Sequence, residues 1–204
     1  MKTFWNTLLV LSLGTYAHAD VLILPEGQGG SLTVGANEVV TVSAYQQSPD
    51  PAPYLTQIVA NGSTNTLALA ALHDDFVNTP ATFAGPLQII FKDSGSHLVS
   101  YKKTAGHTAQ SAVLTMDHPT AISVPNGKTI KFSSLVPPPD EDMTVNVTVQ
   151  KGTNAFDAVK LHPGTEFSGP VDIVLTVTDA PADDDGFQMA AVYSYYFNDT
   201  SASP

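Results

Sequence analysis

The chain has 204 residues, with 8 basic and 19 acidic side chains, no cysteine and a formal charge of -11. All of its basic residues are lysine, so it contains no arginine. This balance argues against nucleic acid and anionic lipid as partners, because clustered basic residues supply the affinity for both. Since 43% of the residues are hydrophobic, the chain can build an ordinary core without disulfide bonds.

The first 19 residues have the pattern of a secretory signal peptide. Lys2 is followed by an apolar run from Phe4 to Leu13, and Ala17 and Ala19 form a small-x-small cleavage pattern. This run is shorter than the roughly 20 apolar residues that span a membrane, and no later run is longer. We therefore expect a secreted protein, extracellular or periplasmic, whose mature chain begins at Asp20.

Two parts of the chain resemble each other in sequence. The matching segments, in order along the chain, are 32–62 with 122–152, 83–90 with 167–174, and 100–101 with 194–195. The second match contains the same Phe-x-Gly-Pro element in both copies. Three collinear matches predict an internal duplication, with one repeat over residues 20–110 and the other over residues 111–204.

Within each repeat, apolar and polar residues alternate, as they do in Val145–Val149. Such alternation is typical of half-buried strands, and turn sequences such as Asn61-Gly62 fall between the alternating runs. Six or seven short strands per repeat predict an all-β chain of two tandem antiparallel β-sandwich domains. The first strand, Val21–Leu24, would either pair within its own repeat or be donated to a neighbouring subunit. Because Val113-Leu114 matches its second half, we expect pairing within the repeat.

The end of the second repeat resembles a known family. The strand-like run Val171–Asp179, an acidic turn and the run Ala190–Tyr195 are similar to the closing hairpin of immunoglobulin-like repeats in bacterial secreted and surface proteins. This resemblance implies immunoglobulin-like sandwiches that serve adhesion, spacing or ligand display. It assigns no catalytic or ligand-binding residue to this chain, which also lacks the cysteine pair of antibody domains.

An acidic insertion distinguishes the second repeat from the first. Calcium takes six to eight oxygen ligands, which acidic loops can supply if they lie at the same end of a domain. The candidate calcium ligands, in two loops of the second repeat, are Asp140, Asp142, Asp183, Asp184 and Asp185. The alternative is that this acidic loop is a solvated hairpin tip whose charge protects a sheet edge from aggregation. We expect no other cofactor.

Two further groups of side chains carry candidate chemistry. His73 and Asp75 would share one face of a strand, where an imidazole and a carboxylate provide a general base or a metal ligand. Tyr193 and Tyr195 share a face of the last strand, where exposed rings would stack on sugars but buried rings would belong to the core. The chain has none of the common catalytic sequence motifs, and we expect that it is not an enzyme.

These observations favour a secreted, non-enzymatic structural or interaction protein of the surface, adhesion or extracellular assembly type. Its expected partners are an extracellular protein or glycan, or further copies bound through sheet edges. The alternative function is an extracellular carbohydrate- or cation-dependent ligand-binding module. Exposure of Tyr193 or Tyr195 beside a concave sheet would favour the binding module, whereas their burial would favour the structural protein.

Overall fold

A computed structural model describes residues 19–48, 55–69, 80–92, 95–106, 108–136, 144–178 and 186–200. Within these ranges every regular element is a β-strand. The same ranges contain no helix that is long and apolar enough to cross a membrane. The predicted signal peptide lies outside them apart from Ala19, which begins the first strand.

Eight strands form the first half of the molecule. They are β1 (Ala19–Leu24), β2 (Gly30–Val34), β3 (Glu38–Ser48), β4 (Leu55–Ala60), β5 (Ser63–Ala68), β6 (Ala81–Ala84), β7 (Leu87–Phe91) and β8 (Ser96–Ala105). They make two antiparallel sheets, with strand orders β1-β8-β3-β6 and β2-β7-β4-β5.

Eight further strands form the second half. They are β9 (Gln110–Leu114), β10 (Thr120–Val124), β11 (Lys128–Val136), β12 (Thr144–Lys151), β13 (Asn154–Phe156), β14 (Glu166–Ser168), β15 (Val171–Thr178) and β16 (Ala191–Asp199). Their two sheets have the orders β14-β11-β16-β9 and β10-β15-β12-β13, which repeat the orders of the first half.

The prediction of an all-β chain is therefore confirmed, but the prediction of two immunoglobulin-like sandwiches is wrong. The chain forms four four-stranded sheets, and in each half the first strand pairs with the eighth, which in turn pairs with the third. Immunoglobulin domains place their strands in a different order, whereas eight strands in this order form the two Greek keys of a jelly roll. Alternating hydrophobicity predicts which residues face inward, but it does not specify which strands become neighbours.

A separate hydrophobic core fills each half. Val40, Phe83 and Ile89 are among the fully buried side chains of the first core, to which both of its sheets contribute. Ile130 and Ile173 are among the fully buried side chains of the second core, to which both sheets of the second half contribute. The sequence builds these cores because every second residue along strands such as β7 is apolar and buried.

Equivalent residues in the two halves have equivalent partners. Val40 pairs with Phe83 in the first half, and Ile130 pairs with Phe167 in the second. Both long third strands contain a bulge at the same place, between Val42 and Ala44 and between Phe132 and Ser134. The residues 90 positions apart in the third strands, and 84 positions apart in β6 and β14, therefore correspond in space as well as in sequence.

The sequence offset between equivalent residues changes by one between β4 and β12, which are the fourth strands of the two halves. Ile58 lies opposite Ile89, whereas Val149 lies opposite Ile173, so the offset there is 91 rather than 90. The first strand pairs inside the molecule, as expected, with Leu22 opposite Val99 of β8.

Candidate functional site

The two halves meet where the outer face of one sheet in the second half packs against the first half. We call the residues of this outer face the covered face; they are Ser111, Val113, Ser134, Val136, Val192 and Ser194. Ser134, Val192 and Ser194 are fully buried, and Val113 and Val192 pack against the core of the first half. The joint between the halves is therefore a continuation of a hydrophobic core.

Hydroxyl groups of the covered face bind the edge strand β6 of the first half. The N–H of Thr82 donates to Ser134 Oγ at 3.0 Å, and the N–H of Ala84 donates to Ser111 Oγ at 2.8 Å. Ser194 Oγ donates to the carbonyl of Thr82, so the bond of 2.7 Å between Ser111 and Ser194 has Ser111 as its donor. Edge strands expose unpaired backbone groups, and these serines satisfy those of β6.

A second contact between the halves joins β5 to the segment that precedes β16. The N–H of Thr66 donates to the carbonyl of Gln188, and the N–H of Ala190 donates to the carbonyl of Thr66, both at 2.8 Å. Thr66 and Ala190 are fully buried. The halves are thus joined by main-chain and side-chain hydrogen bonds as well as by apolar packing.

We expect the substitution Ser194→Ala to lower the free energy of unfolding by about 1–3 kcal/mol, because it leaves the half-buried carbonyl of Thr82 without this donor and the hydroxyl of Ser111 without its acceptor. Equilibrium unfolding in urea measures this change. The matched control is Ser100, the residue of the first half that corresponds to Ser194. Ser100→Ala should change the free energy of unfolding by less than about 0.5 kcal/mol. Equal effects of the two substitutions would contradict the role assigned to the interface.

The corresponding outer face of the first half is exposed. We call it the exposed face; its residues are Val21, Ile23, Ala44, Leu98 and Ser100. The exposed fractions of Val21, Ile23 and Leu98 are 60%, 66% and 38%. These side chains lie on two adjacent strands, because Val21 pairs with Ser100 and Ile23 pairs with Leu98. Adjacent exposed apolar side chains of this kind are typical of a contact surface.

Comparisons with known proteins identify no family. No family model matches the chain, and no curated protein matches it. Among solved structures, a turret protein in Sulfolobus turreted icosahedral virus is similar over 89% of this chain and 97% of its own, at 9% identity and a TM-score of 0.23. A likeness at this TM-score decides neither the fold nor the function of the chain.

The five candidate calcium ligands, Asp140, Asp142, Asp183, Asp184 and Asp185, lie outside the described residues. The strands that carry their two loops are described, and their ends are paired: Val136 lies opposite Val192, and Thr144 lies opposite Thr178. Both loops therefore start and finish at the same end of the second half, which a joint site requires. Among the described residues there is no cluster of ligands that could hold a metal, and the calcium site stays a prediction.

The terminal tyrosines belong to the second core. Tyr193 and Tyr195 are buried, and both pack edge-on or tilted against Phe132. Burial raises the pKa of Tyr193 to about 12 and also raises the pKa of Tyr195, whose hydroxyl donates to Gln110 Oε1 at 2.9 Å. Neither ring is available to stack on a sugar, so the criterion set from the sequence favours the structural protein.

Among the described histidines, His97 is buried, whereas His118 and His162 are exposed. His73 and Asp75 lie outside the described residues. His97 is buried, where its Nε2 donates to the carbonyl of Lys92 at 2.7 Å and its Nδ1 lies 2.9 Å from the hydroxyl of Tyr45. Because a carbonyl only accepts, Nε2 donates the bond to Lys92, and the Tyr45 hydroxyl is the partner of Nδ1. This histidine orders the core of the first half.

Sequence reasoning missed the serines of the interface. Ser194 matches Ser100, so a comparison of the repeats does not distinguish it. Ser111 and Ser134 occupy the positions of Val21 and Ala44 in the first repeat. A position-by-position comparison of the repeats contains this signal, because two exchanges between a polar and an apolar residue fall on one face of one sheet.

Proposed function

We propose that this chain is an exported, non-enzymatic structural protein that works by holding protein surfaces together. The observation that carries the proposal is the contrast between two equivalent faces. The covered face is buried by an extended contact within the molecule, whereas the exposed face presents Val21, Ile23 and Leu98 to the surroundings. Export is supported by the signal-like pattern at the N-terminus.

The molecule suits such a role because its two halves are joined rigidly. Three kinds of contact resist separation of the halves. They are the packing of the core, the hydrogen bonds from the covered-face serines to β6, and the main-chain hydrogen bonds of Thr66. The burial of Tyr193 and Tyr195 removes one of the two features that supported a carbohydrate-binding module.

The proposal is tested by locating the chain in the cells that produce it and by separating the extracellular material by size. We expect the chain outside the cytoplasm in particles larger than one chain, and we expect Ile23→Lys to release it as free chain. Met116→Lys is a matched control, because Met116 is an exposed apolar residue in the turn between β9 and β10 rather than on the exposed face. A chain that stays in the cytoplasm, or that is free in every variant, would show that the proposal is wrong.

The same material tests the predicted calcium site. If Asp140, Asp142 and the three aspartates at 183–185 bind calcium together, the ion stabilises the folded state, and the protein melts at a higher temperature with calcium than with a chelator. Equal melting temperatures would exclude a functional calcium site in these loops.

A further inference from the structure

We propose that the exposed face is covered by a second copy of this chain, whose free edge strand β14 lies against it as β6 lies against the covered face. The inference rests on the proposed function and names its partner. It follows from three observations: the internal contact, the equivalence of the two halves, and the state of the two surfaces that the internal contact leaves unused.

The internal contact provides the geometry. It places an edge strand of one half, β6, on the outer face formed by β9, β16 and β11 of the other half. Its centre is the contact of Thr82 and Ala84 with three serines of the covered face. The contact is heterologous, since an edge of one unit meets a face of the next.

Each partner in this contact has an unused counterpart. In sheet register, Ser111 pairs with Ser194 just as Val21 pairs with Ser100, and Ser134 pairs with Ser194 just as Ala44 pairs with Ser100. The exposed face is therefore the counterpart of the covered face. It lies on β1, β8 and β3, which are the first, eighth and third strands of the first half. The covered face lies on β9, β16 and β11, which are the first, eighth and third strands of the second half.

The counterpart of β6 is β14, which also lies at the edge of its sheet. Glu166 and Ser168 correspond to Thr82 and Ala84, because Phe167 and Phe83 have equivalent partners. Both Glu166 and Ser168 are exposed. Each chain thus carries the counterpart of the covered face and the counterpart of β6, and a second copy supplies the complement of each.

The amino-acid differences between the two contacts indicate how the second one would work. Val21 and Ala44 stand where the covered face has Ser111 and Ser134, so these two positions are apolar on the exposed face. Glu166 forms an ion pair with Lys131, whose Nζ lies 2.7 Å from Glu166 Oε1. Lys102 is exposed and lies two residues from Ser100 along β8. This lysine supplies a positive charge on the exposed face for an edge strand that carries Glu166.

With one serine in place of three, the contact between copies has fewer hydrogen bonds than the contact within a chain. We therefore expect association that depends on concentration rather than a permanent assembly. A heterologous contact uses a different surface on each partner, so it either closes into a ring or continues as a chain of subunits. It does not stop at a symmetric dimer.

Single cysteines test this arrangement, because the natural chain contains none. The bond between Ala84 and Ser111 corresponds to a contact between Ser168 of one copy and Val21 of the next. An equal mixture of Val21→Cys and Ser168→Cys chains should form a disulfide-linked dimer under mild oxidation, whereas each variant alone should not. Mixing Ser168→Cys with Met116→Cys is the control and should give no linked dimer.

The mass of the purified chain in solution provides the second measurement. We expect species larger than one chain that grow with concentration, and we expect Ile23→Lys to weaken association about tenfold or more by placing a charge in the contact. Leu98→Lys, on the neighbouring strand, should have the same effect, while Met116→Lys should have none. Thermal melting of each variant shows that it is folded.

Two results would overturn the inference. One is a single-chain mass at every concentration up to about 100 μM, a range in which contacts of biological strength are populated. The other is linking of Val21→Cys to itself as efficiently as to Ser168→Cys, which would indicate a symmetric face-to-face dimer. If the purified chain is monomeric while Ile23→Lys still releases it from extracellular material, the second copy is excluded and the proposed function stands.

Discussion

Replacing Gly85 with alanine is expected to destabilise the protein by about 3 kcal/mol, which is the upper range for forcing an extra carbon into a filled space. A Cβ at this position would meet the carbonyl oxygens of Val34 and Gly35 and would lie 2.7 Å from the carbonyl carbon of Val34. These neighbours are main-chain atoms, so they cannot rotate away as a side chain would. The free energy of unfolding in urea measures the effect.

Gly169→Ala should have a similar effect in the second half. Its Cβ would meet the carbonyl oxygens of Val124 and Pro125 and would lie 2.6 Å from the carbonyl carbon of Pro125. The glycines are also held alike, since the N–H of Gly85 donates to the carbonyl of Glu38 at 3.0 Å and the N–H of Gly169 donates to that of Lys128 at 2.9 Å. The agreement of the two halves shows why glycine precedes proline in both Phe-x-Gly-Pro elements.

Gly62→Ala is the control for both substitutions. Gly62 has a positive φ of 81°, but a Cβ there would have no atom within 4 Å. Its replacement therefore costs only the backbone strain of that conformation, about 1 kcal/mol. If Gly85→Ala were no more destabilising than Gly62→Ala, the close approach of the two chain segments would not be the reason for the glycine.

The sequence predicted the local features of this fold because they depend on neighbouring residues. Alternation along β7 and β12, the turn at Asn61-Gly62 and the repeated Phe-x-Gly-Pro element all have short-range causes. The sequence did not specify the order of strands in the sheets. That order depends on contacts between residues such as Leu22 and Val99, which lie far apart in the chain and have no distinctive pattern.

The candidate site was missed for a related reason. Ser111 and Ser134 are small polar residues in strands whose alternating pattern predicts one exposed face. They lie on that face, and contact with the first half of the molecule covers them. Val21 and Ile23, in contrast, are apolar residues that the structure leaves exposed. Alternation with a period of two residues predicts which side chains share a face of a strand. Tertiary structure determines which face contacts another domain.

The burial of the two repeated phenylalanines leads to a second expectation with a large effect. Phe83 is completely buried in the first core and lies in β6, between the two residues whose backbone groups bind the covered face. Phe83→Ala should cost about 3–5 kcal/mol, because it removes a full aromatic contact and leaves a cavity beside the interface. The same substitution should also weaken the union of the halves, since the cavity lets β6 move away from its serine partners.

Phe167 provides the matched comparison. It occupies the equivalent position in β14 but is only half-buried, with its ring edge-on to Phe132 at 6.5 Å between centroids. Phe167→Ala should therefore cost clearly less, about 1–3 kcal/mol, and should leave the contact between the halves intact. Urea unfolding of the whole protein, together with limited proteolysis whose cleavage sites are mapped to each half, distinguishes the two effects. Equal losses from the two substitutions would contradict the difference in burial between Phe83 and Phe167.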